Sequence, residues 1–327
     1  MKALLCKSFG PPESLVLEDH QLPDLGAKDV RIKVHSAGVN FPDVLMIEGK
    51  YQFKPAFPFP PGGEVAGDIL EVGSEVTQYK PGDRVIARIG HGGFAEEAIA
   101  SEVKCTPLPD GIGYDVGSAI SLTYGTTIYA LKQRGELQPG EWLLVHGASG
   151  GVGIAAVEIG KAMGAKVIGT GGNDEKLKVA LEHGADHVIN YSNGPFKDEV
   201  KELTGGVGAD VIYDAVGGDA FDQSLRCINW YGRLLVIGFA SGRIPEAPAN
   251  LALLKSCSIV GVFWGAFTER DPALNNENMK QVFDWIKEGK LNPHISHRFS
   301  LEQGADALNA LINRQVVGKA IVEVIPS

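Results

Sequence analysis

Basic residues are in short supply: 30 Lys and Arg stand against 40 Asp and Glu, for a formal net charge of −10. Nucleic acid and anionic membranes bind to a basic face, so neither is an expected partner. Long apolar runs are missing too, and none approaches the roughly 18 residues of a membrane-spanning helix. The opening Met1-Lys2-Ala3-Leu4-Leu5-Cys6-Lys7 is too short an apolar stretch for a secretory signal. Cys6, Cys105, Cys227 and Cys257 are isolated, with no C-x-x-C spacing, which fits a reducing cytosol. Close histidine pairs occur at His183/His187 and His294/His297, and two ligands without a third do not close a metal site. No repeat or low-complexity tract is evident. A chain of 327 residues suggests about two domains with sizeable cores. Its 44% hydrophobic and 21% charged content is that of a soluble globular protein.

Glycine, by contrast, is placed with purpose. Trp142 to His146 is a short apolar run of the kind a buried parallel strand shows. It breaks into a turn at Gly147, Gly150, Gly151 and Gly153, followed by a helical stretch from Ile154 to Met163 that Gly164 closes. A second strand, Lys166 to Gly169, comes at once. Strand, glycine turn, helix and strand within about thirty residues is the setting a dinucleotide fingerprint requires. Glycines let the backbone approach a pyrophosphate, and the helix N-terminus offers it N–H groups and a positive dipole end. Ser149, Gly150, Gly151, Val152 and Gly153 are therefore candidate cofactor contacts, with Ala148 where the first fingerprint glycine usually stands. The other reading of such a turn is close strand–helix packing.

Before this centre the chain reads as β-rich. Val30 to Val39 alternates, Pro55, Pro58, Pro60 and Pro61 punctuate a loop, and Gly62–Gly73 and Val85–Arg88 resume strand character. Asp115 to Leu131 reads as one or two helices broken at Gly125. After the fingerprint, strands around 188–190, 211–213, 234–237 and 258–260 alternate with helices such as 196–203 and 221–229. That alternation predicts an α/β fold with a doubly wound parallel sheet. A helix is expected over 276–290, and a last strand, Lys319 to Val324, is expected to return to the first domain.

Several segments together resemble the zinc-independent medium-chain dehydrogenases/reductases of the NADPH:quinone oxidoreductase (zeta-crystallin-like) group. They are Gly38-Val39-Asn40-x-x-Asp43, Gly49-x-Tyr51, Pro61-Gly62-x-Glu64-Val65-Ala66-Gly67, and Gly73 with Lys80-Pro81-Gly82-Asp83-Arg84-Val85. Gly92-Gly93-Phe94-Ala95-Glu96, Leu122-Thr123-x-x-Thr126 and His146 through Gly153 complete the set, so the likeness spans essentially the whole chain. Glu158 departs from it, since the group usually carries Gln there; one turn down the helix, it suggests packing or surface use. The resemblance implies a Rossmann domain over 124–262 and a β-rich GroES-like barrel domain made of 1–123 and 263–327. Zinc-dependent relatives hold Cys and His where this chain has Asn40 and Gly63, and an amide and a hydrogen do not replace thiolate and imidazole. No metal is expected.

A nicotinamide enzyme without zinc must stabilise developing charge with hydrogen-bond donors or solvent. By resemblance, Tyr51 and Asn40 are the catalytic candidates, and Asn40 also a donor to the nicotinamide ribose. An aromatic under the proline loop and a strand-end turn residue are the alternatives. Thr126 by resemblance lines the nicotinamide, and otherwise sits in a helix interior. Gly238 and Phe239, and then Phe263, Trp264 and Gly265, follow strands at carboxyl ends where such sheets bind ligands. Domain-interface packing explains those aromatics equally well. Lys319 is implied to lie near the cofactor.

The second strand ends Gly169-Thr170-Gly171-Gly172 with no carboxylate for a ribose 2′-hydroxyl. Lys176 and Tyr191 match the group's residues around a 2′-phosphate, with Gly172 a further candidate contact, so NADPH is the expected cofactor; Asp174 and Glu175 are the counterweight, and Lys176 alone also reads as a solvated helix charge. The expected activity is NADPH-dependent reduction of a quinone or α,β-unsaturated carbonyl by a cytoplasmic homodimer. Two rivals remain. One is a 2-enoyl-CoA (acrylyl-CoA-type) reductase, which needs Arg88, Arg243, Arg270 and Arg298 to converge. The other is a nucleotide-binding structural or regulatory crystallin-like protein.

Overall fold

The alternation at Val30–Val39 becomes the strand Asp29–Val39, whose Val30, Ile32 and Val34 are buried while Lys33 is exposed. The computed structural model describes residues 1–325. The chain divides into two compact units. The first is Met1–Leu122 together with the chain from Pro293 onward, and the second is Thr123–Asn292.

Asp29–Val39 is the centre of the first unit. One edge pairs antiparallel with Glu64–Val72, and the other pairs with Glu97–Ser101 and then, nearer its end, with Lys319–Glu323. Arg84–Arg88, Cys105–Pro107 and Ile295–Ser300 complete a sheet of seven strands among the described residues. The C-terminal strand thus returns here as expected, with Ala320 opposite Val39. Gly38 belongs to the crowded part of this sheet. A Cβ on it would lie 2.2 Å from Ser118 O and 2.8 Å from Glu64 Oε2, so only glycine leaves room for that carboxylate. Asn40 ends the strand, and the helix Phe41–Ile47 starts at once.

In the second unit, six parallel strands lie in the spatial order His187–Asn190, Lys166–Gly171, Trp142–His146, Ala209–Asp214, Ile228–Val236, Ser258–Gly261. In chain order that is third, second, first, fourth, fifth, sixth, the doubly wound arrangement read from the sequence. The strand order reverses beside Trp142–His146, so the glycine turn leaves the sheet at its switch point.

Three expectations change. Gly125 does not break a helix: Tyr114–Ile128 is continuous and runs on into a π-helical turn, Tyr129–Arg134. Gly125 instead admits an indole, since a Cβ there would sit 2.5 Å from Trp264 Cζ2. Residues 263–292, expected with the barrel, belong to the second unit. Tyr129 stacks on Phe267 at 4.1 Å between ring centroids, and Gln133 and Asn278 exchange amide hydrogen bonds of 2.9 and 3.1 Å. These contacts join residues far apart in sequence, and periodicity carries no trace of them. Finally, the helix expected over 276–290 is Pro272–Lys287, started by the Asp271 side chain accepting from Leu274 N.

Candidate functional site

The glycines of the turn have different physical reasons. Gly147 has φ +66°, a left-handed conformation that favours glycine. Gly153 is dictated by contact, because a Cβ would fall 2.0 Å from Gly147 O. Gly150 is dictated by neither. Its φ is −85°, and a Cβ would meet nothing nearer than Gly147 O at 3.4 Å. The protein would accept a side chain at Gly150, so the bare backbone there suits a ligand that comes close. Gly150 is also the N-cap of the helix Gly151–Ala162, which no side chain caps. Its first N–H groups and positive dipole end therefore suit an anion. Ser149, Gly151 and Val152 are half-buried around this end.

The rim of the turn is held from below by residues the sequence left without a role. His146 is buried, with Nδ1 2.8 Å from Thr170 Oγ1 and Nε2 2.7 Å from Ser224 Oγ. Ser224 donates to Ala220 O, so it accepts from His146 Nε2–H, and Thr170 donates to Nδ1. Burial pushes the imidazole pKa down, against a smaller opposing pull from Asp214, and the ring is neutral. Thr127, rather than the half-buried Thr126, anchors its helix nearby: its hydroxyl reaches Thr123 O at 2.8 Å and Tyr213 Oη at 2.9 Å.

At the end of the second strand, the two carboxylates that weigh against a 2′-phosphate each have a partner, and that of Asp174 is the residue just before Tyr191. Asp174 Oδ1 accepts from Asn190 Nδ2 at 2.8 Å, and Glu175 pairs with Lys178 at 2.7 Å. Asn173 caps the helix Asp174–Glu182 by accepting from Lys176 N. Gly172 faces Tyr191 closely, since a Cβ there would lie 3.1 Å from the ring, and Ser192 Oγ donates to Gly172 O at 3.0 Å. Gly172, Tyr191 and Ser192 thus share one polar rim on adjacent strand ends, and Lys176 lies in the first turn of the helix that follows Gly172. Open glycine backbone, an uncapped helix N-terminus and this rim fit an adenosine diphosphate with a further phosphate.

The remaining second-unit candidates separate. Phe263 is 76% exposed, whereas Trp264 is buried and donates from Nε1 to Asn275 Oδ1 at 3.0 Å. Gly265 O accepts from the Thr268 hydroxyl. Phe239 is exposed on the loop after Ile228–Val236, and Gly238 is half-buried. Glu158 is neither a surface residue nor simple packing. It is buried, accepting at 2.6 Å from both the Tyr124 hydroxyl and His183 Nδ1, and at 3.0 Å from Asn292 N.

In the first unit, Asn40, Asp43, Glu64 and Lys319 form one buried polar cluster. Asn40 N donates to Asp43 Oδ2 at 2.8 Å, and Gly63 N donates to Asp43 Oδ1 at 3.1 Å. Asn40 Nδ2 donates to Glu64 Oε2 at 2.9 Å, whose other oxygen accepts from Leu122 N. Lys319 Nζ donates to Asn40 Oδ1 at 2.6 Å and to Val39 O at 3.0 Å, and lies 3.5 Å from Glu64 Oε2. Burial pushes the Asp43 carboxyl up to about 7, against its amide donors and Lys319, which pull it down. Glu64 was read from sequence only as part of a motif. Tyr51 is half-buried against the core of the same unit, its N–H bonded to Leu45 O.

Of the four arginines a CoA ester would need, Arg243 is paired with Asp219 and Asp222, and Arg298 with Asp115 and Glu323.

Residues 26–110 match the family model of the alcohol dehydrogenase GroES-like domain, and residues 151–288 that of the zinc-binding dehydrogenases. A quinone oxidoreductase-like protein 2 homolog of Nematostella vectensis is 43% identical, over 98% of this chain and 88% of its own. A quinone oxidoreductase of Pseudomonas aeruginosa is 36% identical, over 98% of this chain and 99% of its own. The crystal structure of Escherichia coli quinone oxidoreductase complexed with NADPH superposes with a TM-score of 0.90 at 30% identity, covering all of both chains.

Proposed function

The chain belongs to the quinone oxidoreductase group of the medium-chain dehydrogenases/reductases, and from that premise we propose that it is an NADPH-dependent, metal-independent reductase of quinones or α,β-unsaturated carbonyls. The observation that carries this reading is the Lys319 ammonium in the first-unit cluster, bonded to Asn40 and beside Glu64. A fixed cation there repels a metal ion, and Asn40 offers an amide where a ligand thiolate would be needed. Without a Lewis acid, charge on the reduced acceptor falls to hydrogen-bond donors or solvent, which favours acceptors that already draw hydride.

NADPH supplies that hydride when bound. The glycine turn and the N-terminus of Gly151–Ala162 bind its pyrophosphate, and Lys176, with Tyr191 and Ser192 at the rim, receives the 2′-phosphate. Asn40 and Tyr51 are the donors offered to the acceptor oxygen. The E. coli structure bound to NADPH supports the cofactor assignment. No helix among the described residues is long and apolar enough to cross a membrane, and the four cysteines are free thiols, which suits the cytoplasm. The edge strand Ser258–Gly261 and the exposed Leu253, Leu254 and Ile259 beside it support a homodimer through that face.

The decisive measurement follows NADPH oxidation with 1,4-benzoquinone or a small enone, and NADP⁺ reduction with simple alcohols, alongside elemental analysis. Turnover with the first set, inert alcohols and no stoichiometric zinc are expected. Robust alcohol oxidation tied to one zinc per chain would overturn the reading, and NADPH binding without turnover would favour the structural or regulatory rival.

A further inference from the structure

The Asn40 carboxamide is held by opposite charges at its two ends. Lys319 Nζ stands 2.6 Å from its oxygen and Glu64 Oε2 2.9 Å from its nitrogen. Rotating the amide by half a turn would set NH₂ against ammonium and oxygen against carboxylate, so one orientation is enforced by charge. The backbone is fixed as well, through Asp43 accepting from Asn40 N. One amide hydrogen is spent on Glu64, and the other has only Gly38 O at 3.5 Å among the described residues, too long for a good bond.

Lys319 is correspondingly occupied. The residue is 5% exposed, and its ammonium donates to Val39 O and Asn40 Oδ1 and forms an ion pair with the Glu64 carboxylate at 3.5 Å. It reaches Asn40 because Lys319–Glu323 pairs with the end of Asp29–Val39, with Ala320 opposite Val39. Glu64 reaches it because Gly38 has no side chain to obstruct the carboxylate.

We propose that Glu64 and Lys319 are positioning residues that lock the Asn40 carboxamide in one orientation, in which the second N–H, held only by the long contact to Gly38 O, is the donor left for a ligand, and that Lys319 acts through Asn40 rather than on the cofactor. The inference rests on the reductase reading above for the identity of that ligand, and on the first-unit cluster alone for the lock. In this role Asn40 is a donor of fixed direction. Such a donor need not reorganise when negative charge develops on an acceptor oxygen.

The test combines Lys319→Met, Lys319→Arg, the charge-neutral pair Glu64→Gln/Lys319→Met, and Asn40→Ala. NADPH affinity is read by fluorescence titration without acceptor, and turnover with 1,4-benzoquinone. Lys319→Met should lower kcat about 10- to 100-fold, the scale of one charged hydrogen bond, and leave NADPH affinity within about threefold. Lys319→Arg should recover part of the loss. In an Asn40→Ala background, Lys319→Met should add little, because both act through one group. Multiplying losses, or NADPH affinity weakened tenfold or more, would make Lys319 a direct cofactor ligand and overturn the proposal.

A readout independent of turnover keeps the lock separate from the reductase reading. In asparagine-¹⁵N-labelled protein, the Asn40 side-chain NH₂ pair is assigned by its loss in Asn40→Ala. It should shift strongly in Lys319→Met and in the neutral pair, the latter guarding against unfolding by an unpaired Glu64. An unchanged Asn40 pair in folded variants would refute the lock, even if the wild type reduces quinones. A wild type inert to quinones with a shifting pair would refute only the choice of substrate.

Discussion

At the scale of single residues, cofactor preference turns on where four side chains are committed. Glu175 is paired with Lys178, whereas Asp174 is bonded to Asn190, the residue before Tyr191, so one carboxylate stands by the rim with an amide donor already on it. Lys176 lies in the first turn of the helix Asp174–Glu182, its backbone N–H held by Asn173. A charge-assisted contact to a phosphate is worth about 1.5–3 kcal/mol, roughly ten- to a hundredfold in affinity. Lys176→Ala should therefore raise the NADPH Michaelis constant by about that factor and leave NADH nearly unchanged. Steady-state kinetics with both cofactors checks this. Equal losses would make Lys176 a structural residue, and a wild-type preference for NADH would reverse the assignment. Lys176 and Tyr191 are candidates from sequence because both flank strand ends that a doubly wound sheet makes adjacent. The commitments of Asp174 and Glu175 were not, since a side chain's partner is a matter of rotamer and neighbour.

At the scale of elements, the glycine turn contains two kinds of glycine that look alike in sequence. Gly153 answers to the chain itself, where a Cβ would collide with Gly147 O, while Gly150 has room for one. Gly153→Ala should thus damage the turn, at a cost of about 1–3 kcal/mol typical of overpacking. Its thermal midpoint should fall by several degrees. Gly150→Ala should keep the wild-type midpoint within about a degree and still weaken NADPH binding about tenfold, equivalent to 1.4 kcal/mol. Thermal melts and cofactor titrations on the two variants decide it. Wild-type affinity in Gly150→Ala would mean that the pyrophosphate lies elsewhere. Gly125 teaches the same lesson from the other side: a glycine in a helical sequence reads as a break, yet here it admits the Trp264 indole and the helix continues. Glu158 likewise looks like a helix-surface charge until Tyr124, His183 and Asn292 are brought around it.

At the scale of the whole molecule, the parallel sheet of the second unit ends at Ser258–Gly261, which among the described residues has a neighbour on one side only. Leu253 and Leu254, 78% and 66% exposed, lie in the helix just before it. An unpaired edge beside apolar side chains is poorly suited to water and well suited to a second copy. Sedimentation should report a dimer for the wild type, and Leu253→Glu with Ile259→Lys should halve the mass while the fold persists. A monomeric wild type would remove the dimer. Strand–helix alternation, the glycine turn and the motif set were sufficient to determine the doubly wound sheet, the turn at its switch point and the family. Each of these rests on local spacing, which a linear sequence displays. Tertiary structure alone decided that residues 263–292 pack with the second unit and that Glu64 and Lys319 grip opposite ends of the Asn40 amide. Lys319 and Asn40 are separated by 279 positions in the chain. Only antiparallel pairing of the last strand with Asp29–Val39 brings them into contact, and no periodicity in the sequence records that register.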